Sequence, residues 1–264
     1  MSAFITRRRL ITTGLAVTGA ASLTVASRLA DKYGLVPPDH DGIYGVGERL
    51  TYAAHRLLMA GRSYAREFDR ADISKVARVN GAPPENETYQ RLLAGGFAEW
   101  RLTVDGLVAH PSSFSMAELK QCPSRSQITH QACEEGWSFI AEWTGVPLSH
   151  VLNLVGVHPR AKYVIFFPID TVFGIADQPK DKIRWDSLDM AEAWHPQTLL
   201  AYRMNGRELP TGNGAPLRLR VPRQLGYKSV KYLSRITVSD TVKNIGKGYG
   251  ASGPEFGYSW YAGI

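Results

Sequence analysis

The 264-residue chain is 44% hydrophobic and 21% charged, a composition typical of a globular protein with a substantial core, which excludes a disordered or fibrous protein. Its net charge of +7 is moderately basic, but the absence of a basic run or a groove-reading motif argues against a nucleic-acid partner. Two cysteines, Cys122 and Cys133, are too few for a disulfide framework or a four-cysteine zinc site.

The N-terminus predicts an export signal. Residues 6–11 read TRRRLI, a twin-arginine pattern, and residues 10–27 carry no charge and are only mildly apolar. Residues 24–26 provide a cleavage site after a small residue. The alternative is a retained transmembrane anchor, for which this segment is short and polar. Because the twin-arginine pathway exports folded proteins, the signal favours a protein that acquires a cofactor before export.

In the first half of the chain, turn-forming residues separate short regular elements. Residues 52–59 are predicted to form a short helix, and residues 79–89, rich in Pro, Asn and Gly, a loop. Alternating apolar residues over 100–104 predict a strand that turns at Asp105-Gly106, with residues 107–108 starting the returning strand. A capping box of Ser115 and Glu118 predicts a helix that begins after Ser115.

The following region combines one amphipathic pattern with one continuous apolar run. Apolar residues at i, i+3, i+4 and i+7 over 148–155 predict an amphipathic helix. Residues 163–167 are uninterruptedly apolar and predict a fully buried strand. The compositions of residues 187–193 and 198–204 favour two further helices.

The C-terminal part predicts strands and a docked tail. Asn205-Gly206 predicts a turn. Apolar residues at 217, 219 and 221 alternate with Arg218 and Arg220, which predicts a strand with one cationic face, and residues 236–238 predict a last strand. The aromatic tail over 257–264 is expected to pack on the core or over a site.

Cys133 stands out among the residues that could perform chemistry. Its acidic neighbours Glu134 and Glu135 raise the pKa of a thiol and oppose a thiolate nucleophile, whereas a bound metal deprotonates a thiol outright. The residues alone leave three interpretations open. Cys133 is a buried structural residue or a disulfide partner of Cys122, a ligand of a soft metal, or the nucleophile of an exported hydrolase or transpeptidase acting with a histidine. The candidate histidines are His130 and His195.

Two glycine-containing stretches suggest an anion site. Residues 213–218, NGAPLR, offer an amide, a flexible glycine and an arginine, and residues 226–231, GYKSVK, offer a second glycine and two lysines. Glycine lets backbone N–H groups approach an anion, and the cationic side chains complement its charge. This combination would suit a phosphate, although solvated strand faces have similar sequences.

Taken in order, these stretches resemble the sulfite oxidase superfamily of molybdopterin-dependent oxidoreductases over residues 99–264. The resemblance is greatest to its compact bacterial periplasmic branch, which includes catalytic subunits of protein-methionine-sulfoxide reductases. The matching stretches are residues 100–108 with 114–115, 133–138, 143–148, 195–202, 204–206, 213–218 and 226–231.

The resemblance implies an α+β fold with mixed sheets and short helices around a mononuclear molybdenum held by one molybdopterin. Cys133 would be the single protein ligand of the metal, and Tyr258 a catalytic residue lining the pocket. The cofactor and its phosphate would be bound by the residues that match family positions: Asn213, Arg218, Ser229, Val230, Lys231, Arg66 and Glu67. Where some relatives have a polar contact, this chain has Pro168, and Asp170 would take over that contact.

The resemblance also implies a domain organisation and a reaction. We expect a signal peptide at 1–27, an N-terminal extension packing on the core at 28–95, and a molybdopterin-binding catalytic domain at 96–264. The expected reaction is periplasmic two-electron oxygen-atom transfer to or from a small or protein-bound sulfur-oxo substrate, either sulfite oxidation or sulfoxide reduction. Neither a haem domain nor a dimerisation domain is expected. The catalytic subunit would then be monomeric and exchange electrons with a separate cytochrome of b or c type. Membrane contact would arise only through that partner or an uncleaved signal.

Overall fold

The computed structural model describes residues 46–58, 63–169 and 185–264. Helix α1 (Val46–Leu58) belongs to one compact unit and the remaining described residues to a second. A helix predicted over 52–59 is thus confirmed, although it begins earlier. The predicted signal at 1–27 lies outside the described residues. Within the described ranges, no helix is long and apolar enough to cross a membrane.

The second unit is an α+β structure of short helices and two sheets, as predicted. Its helices are α2 (Glu87–Ala94), α3 (Met116–Gln121), α4 (Leu148–Val155) and α5 (Met190–Ala193). Its strands are β1 (Arg101–Gly106), β2 (Ser112–Ser115), β3 (Arg125–Ala132), β4 (Ser138–Pro147), β5 (Tyr163–Pro168), β6 (Asp186–Asp189), β7 (Leu199–Met204), β8 (Arg207–Glu208), β9 (Arg218–Arg220) and β10 (Leu233–Ser239).

The first sheet is mixed and forms much of the main core. Its strand order is β2-β1-β10-β5-β6, with β1 parallel to β10 and the other neighbours antiparallel. The predicted buried strand is confirmed as β5, whose first five residues are all buried. The amphipathic helix is confirmed as α4, since the four apolar residues of the predicted pattern are fully buried against this core. The capping box at Ser115 and Glu118 is also confirmed, at the start of α3.

The second sheet is antiparallel and carries Cys133. Strands β3 and β4 form a hairpin that continues through β7, which pairs with β8 at one end and β9 at the other. One face of this sheet packs on the main core through residues such as Leu200 and Leu219. Residues 133–137 connect the hairpin strands, so Cys133 lies directly after the end of β3.

In the second half, the helix predicted over 198–204 is wrong and the helix predicted over 187–193 is confirmed only for residues 190–193. Residues 198–204 have a helix-favouring composition but form β7, because β4 on one side and β8 and β9 on the other satisfy the backbone groups of that segment. Residues 187–189 belong to β6, and the helix begins only after Asp189, whose carboxylate accepts the Glu192 N–H and caps α5.

Two predictions in the first half are wrong in part. The loop predicted over 79–89 ends at Asn86, which caps α2 by accepting the Tyr89 N–H. The strand that returns from β1 begins at Ser112 and not at 107, because Val108 instead bridges to Val157. The turn at Asn205-Gly206 and the last strand, β10, are confirmed, and the C-terminal tail packs on the unit with Trp260 and Tyr261 buried.

Candidate functional site

Buried polar side chains line part of the side of the second sheet that faces away from the main core, beside a smaller apolar cluster that includes Phe139 and Ala201. Strand alternation places Gln127, Thr129 and Gln131 of β3 on this side, and the same alternation continues to Cys133. Gln127 pairs directly with Trp143 of β4, so their side chains share a face. We call this surface the polar face, and it comprises Gln127, Thr129, Gln131, Cys133, Trp143, Arg218 and Arg220.

The polar face carries polar atoms that no described residue satisfies. They are Gln127 Oε1, Gln131 Oε1, Trp143 Nε1, and Nε and Nη1 of Arg220. Buried polar groups are almost always hydrogen bonded, and each exception requires a physical explanation. Because these atoms share one face of one sheet, the simplest explanation is a polar ligand that binds there.

Two buried arginines make the polar face strongly cationic. Arg218 and Arg220 are 3% and 0% exposed, and their guanidinium carbons lie 5.0 and 5.6 Å from the centroid of the Trp143 ring. Within the ranges that the structure describes, neither forms a salt bridge with a carboxylate. Buried charges are normally paired. Burial lowers the pKa of Arg218 to about 10 and that of Arg220 to about 9, so both guanidinium groups are still charged near neutral pH.

Arg218 hydrogen bonds to both stretches that were predicted to bind an anion, residues 213–218 and residues 226–231. Its Nη1 donates to the Asn213 carbonyl at 2.8 Å, and its Nη2 donates to the Ser229 carbonyl at 3.1 Å. The Ser229 hydroxyl in turn accepts the Val221 N–H at 3.1 Å. Lys231 lies beside this group, since its Nζ donates to the Gly212 carbonyl at 2.6 Å. Val230 is buried, and its carbonyl accepts the Leu219 N–H. The structure therefore brings together all five residues predicted for the phosphate.

Gly214 allows the two stretches to approach each other. Its φ is +113°, and a Cβ at this position would lie 2.9 Å from Lys231 Cβ and 3.2 Å from Arg218 Cβ. An L-residue here combines an unfavourable backbone conformation with a close contact.

Gly214→Ala is therefore expected to lower the free energy of unfolding by about 2–4 kcal/mol, the sum of backbone strain and overpacking. Gly206→Ala is the matched control, because Gly206 has a φ of +74° but no neighbouring atom within 4 Å. The control should lose only about 1–2 kcal/mol, from the backbone alone. Denaturant unfolding measures both values. Equal losses would show that the Lys231 and Arg218 side chains move away from the added Cβ without lowering the free energy of unfolding.

The two glycine-containing stretches, residues 213–218 and 226–231, approach the strand that leads to Cys133. A Cβ on Gly226 would lie 3.1 Å from the Ala132 carbonyl oxygen and 3.2 Å from Gln131 Nε2. The loop that carries Ser229 thus packs against the residue that precedes Cys133. A second link runs through Asn80, whose side chain donates to Glu135 at 3.4 Å and whose carbonyl accepts from Lys231 at 2.8 Å.

Cys133 is a buried thiol whose pKa is raised. It is 8% exposed, and its Sγ donates to Glu134 Oε2 at 3.0 Å. Burial raises the pKa of the thiol to about 11; the Glu135 backbone N–H opposes this shift and the Glu134 carboxylate adds to it. Both cysteines are free, so no bridge to Cys122 exists. In the described residues, no three His, Cys, Asp or Glu side chains group as a metal site.

The geometry does not support the hydrolase interpretation of Cys133. His130 lies an odd number of residues from Cys133 along β3 and so points to the opposite side of the sheet. His195 packs edge-on against Tyr64 at 5.4 Å, and its Nδ1 accepts the Gln197 N–H. Neither histidine is hydrogen bonded to the described Cys133 thiol, so neither acts as the base that a cysteine nucleophile requires.

A direct test follows from the raised thiol pKa. In cofactor-free protein, alkylation of Cys133 by iodoacetamide should be very slow at pH 7 and rise about tenfold per pH unit towards pH 10, because the thiolate is the reacting form and its pKa is about 11. Site-resolved mass spectrometry measures the rate, with Cys122→Ser removing the other thiol. Rapid labelling at pH 7 would contradict this account and favour a nucleophilic cysteine.

The remaining predicted site residues lie at several places. Glu67 bridges to Thr129 of the polar face, and its carboxylate accepts from Arg125 and from Gln197 Nε2. Arg66 is exposed and lies 4.7 Å above the Phe68 ring. Tyr258 is 42% exposed and packs on Tyr227, which follows Gly226, with ring centroids 5.3 Å apart. Pro168 ends β5, and Asp170 lies outside the described residues. The roles of these residues are still predictions.

Sequence reasoning missed several residues of the polar face, namely Gln127, Gln131, Trp143 and Arg220. A signal for the first two was present, because Gln127, Thr129 and Gln131 repeat with the period of a strand and lead to Cys133. Arg220 could not be separated from an ordinary solvated arginine, because its burial depends on neighbouring strands.

Known proteins are similar to this chain in sequence. A family model described as "Oxidoreductase molybdopterin binding domain" matches residues 92–245. MsrP, a protein-methionine-sulfoxide reductase catalytic subunit of Xanthomonas campestris, is 40% identical over 64% of this chain and 49% of its own length. YedZ1 of Azospira oryzae, named as a subunit of such a reductase, is 37% identical over 63% of this chain and 56% of its own length.

The chain spans about half the length of the curated relatives it matches. Among solved structures, the sulfane dehydrogenase SoxCD from Paracoccus pantotrophus aligns with a TM-score of 0.49 at 25% identity. The alignment covers 55% of this chain and 39% of that one.

Proposed function

The chain belongs to the oxidoreductase molybdopterin binding domain family, and from that membership we propose that it reduces sulfoxides, with methionine sulfoxide as the substrate class. The resemblance to the sulfite oxidase superfamily is confirmed, and the protein is a molybdopterin oxidoreductase. Sulfoxide reduction is favoured over sulfite oxidation because the relatives are named as methionine-sulfoxide reductase subunits.

The observation that carries the proposal is the polar face. Among the residues that the structure describes, it offers unsatisfied hydrogen-bonding atoms and two guanidinium groups without a paired carboxylate, and one edge of it ends at a buried thiol. A flat pterin with a phosphate requires such a surface, because it presents many hydrogen-bonding atoms and a negative charge. The residues present therefore fit the cofactor. Asn213, Arg218 and residues 229–231 would hold its phosphate, and Cys133 would bind its metal.

When bound, a mononuclear molybdenum–pterin group supplies two-electron oxygen-atom transfer. Cys133 must lose its proton to act as a ligand, and Glu134 Oε2, already hydrogen bonded to Sγ at 3.0 Å, is the acceptor placed to take it. The Glu135 backbone N–H faces the sulfur and favours its thiolate form. Burial of the polar face excludes water and strengthens these interactions.

The reaction needs a source of electrons. Reduction of a sulfoxide breaks its S–O bond, consumes two electrons and two protons, and releases a sulfide and water. We assign the electrons to a separate haem protein of b or c type, a choice supported by the naming of both relatives as subunits. The twin-arginine pattern at residues 6–11 supports export, which would place the reaction in the periplasm.

The decisive experiment compares two reactions of one preparation. The full chain is expressed in a molybdopterin-producing host and in one that makes none, and molybdenum and pterin are measured per chain. Reduction of methionine sulfoxide by a chemical donor and oxidation of sulfite by a chemical acceptor are then assayed side by side. We expect one molybdenum and one pterin per chain and turnover of the sulfoxide in the first preparation only. Absence of both metal and pterin, or turnover of sulfite alone, would overturn the proposal.

A further inference from the structure

Arg220 has a position that the proposed cofactor contacts do not explain. It lies two residues after Arg218 on β9, so the two side chains leave the strand on the same side, about 7 Å apart at their origins. Both guanidinium groups lie over the Trp143 ring. Two like charges are thus buried side by side, with no carboxylate paired to either in the described part of the chain.

The orientation of Arg220 is fixed by one edge of its guanidinium. Its Nη2 donates to the His130 carbonyl at 2.6 Å and to Thr129 Oγ1 at 3.3 Å. Its Nε and Nη1 are buried and have no partner among the described residues. Arg218 differs, because its Nε, Nη1 and Nη2 each donate to a backbone carbonyl. Nε and Nη1 of Arg220 are therefore both available to a ligand, whereas every nitrogen of Arg218 already donates one hydrogen bond and only Nη1 and Nη2 keep a second N–H.

The burial of the Arg218 and Arg220 guanidinium groups next to each other is energetically unfavourable when no ligand is bound. Burial removes the hydration of the Arg220 guanidinium, and the Arg218 charge opposes it further, so both effects lower the pKa of Arg220. An anion between the two guanidinium groups would relieve both penalties. A phosphate suits this position, because it carries up to two negative charges and three oxygens that accept hydrogen bonds from different directions.

We propose that Arg220 binds the phosphate of the cofactor together with Arg218, so that two guanidinium groups hold one anion. This inference rests on the proposed function, since the phosphate is that of the pterin. It assigns to Arg220 a binding role, whereas a purely structural Arg220 would serve only to join β9 to β3 through His130 and Thr129.

The two roles predict opposite effects on the cofactor-free protein. If Arg220 binds an anion that the cofactor-free protein lacks, Arg220→Met removes a buried charge that has no counter-ion there. The melting temperature of the cofactor-free protein should then rise. Inorganic phosphate should raise the melting temperature of the cofactor-free wild type but not of this variant. If Arg220 only joins two strands, Arg220→Met should lower the melting temperature of the cofactor-free and the loaded protein alike.

The test uses the full chain from a host that makes molybdopterin and from one that makes none. Arg220→Met should release pterin at least about tenfold faster than wild type, the loss expected for one charge-assisted contact, and Arg220→Lys should fall between them. Arg203→Met is the matched control, because Arg203 on β7 is half exposed and pairs with Glu208. Pterin fluorescence after oxidation measures the release.

The outcomes separate this inference from the proposed function. Release from Arg220→Met within about twofold of wild type, or an equal fall in melting temperature of both forms, would overturn the role of Arg220. Wild type without any pterin would overturn the proposed function instead. If Arg220→Met does not fold in either host, Arg220→Lys decides, because faster release supports the proposal and unchanged release contradicts it.

Discussion

Cys133→Ser is expected to lower the rate of sulfoxide reduction by at least about 100-fold, because even residues that only support a metal ligand change activity by about 10–100-fold. Serine keeps the size of the side chain but is a poor ligand for a soft metal. Pterin content should fall by less than about twofold, because the phosphate contacts of Asn213 and Arg218 are untouched. Turnover with a chemical donor and the pterin content of each preparation measure the two effects.

Cys122→Ser is the control for this substitution. Cys122 ends α3, and its Sγ contacts only the Glu118 carbonyl, at 3.5 Å, among the hydrogen bonds of the described residues. Activity within about twofold of wild type is expected, since the change is remote from the polar face. Full activity of Cys133→Ser would remove Cys133 from the site. Equal losses in both variants would indicate a general effect on folding.

Lys228→Met is expected to lower the free energy of unfolding at pH 8 by about 3–5 kcal/mol, the usual cost of leaving one partner of a buried ion pair alone. Lys228 and Asp186 are paired with side chains only 1% and 4% exposed. The Lys228 ammonium also donates to the Ser187 carbonyl at 2.9 Å and lies 5.1 Å from the Trp260 ring centroid. Lys228 therefore fixes the loop that carries Ser229 to β6 and to the C-terminal tail.

The deficit of Lys228→Met should shrink as the pH falls. Burial raises the pKa of Asp186 to about 6 even with Lys228 opposing the shift, so removal of Lys228 raises the pKa further. An acid whose pKa is raised in the folded state binds its proton more tightly there, so the folded state gains relative stability as the pH falls towards 4. Denaturant unfolding at pH 8 and pH 5 measures the difference from wild type at each pH.

Two further variants serve as comparisons for the stability loss of Lys228→Met. Adding Asp186→Asn to Lys228→Met removes the stranded charge and should recover part of the loss. Lys120→Met breaks an exposed pair with Glu208 and should cost less than about 1 kcal/mol. A loss at pH 8 no larger than that of Lys120→Met would show that the buried pair does not stabilise the fold.

Local sequence signals were sufficient where an element depends on its own residues. The spacing of four apolar residues identified α4, and Ser115 with Glu118 identified the start of α3. The same reasoning failed for residues 198–204, because Leu, Ala and Met favour a helix intrinsically while the pairing of β7 with β4, β8 and β9 decides the structure. Propensity is a weak prior where the neighbours on both sides are strands.

The candidate site also contains residues that the sequence alone could predict and residues that only the structure identifies. Asn213, Arg218 and residues 229–231 were identified through a family resemblance, and the structure brings them together. The acidic neighbours of Cys133 indicated a raised thiol pKa, although burial is its largest cause. The role proposed for Arg220 required the sheet, because only the pairing of β9 with β7 and the contact with β3 show that this arginine is buried, without a carboxylate partner in the described ranges.

X-ray absorption at the molybdenum edge tests most directly whether the Cys133 sulfur is the protein ligand of the metal. The account predicts that wild type and Cys122→Ser each show two sulfur neighbours from the pterin and one more from the protein, and that Cys133→Ser shows only the two. An unchanged number of sulfur neighbours in Cys133→Ser would contradict it, because the metal would then be bound elsewhere.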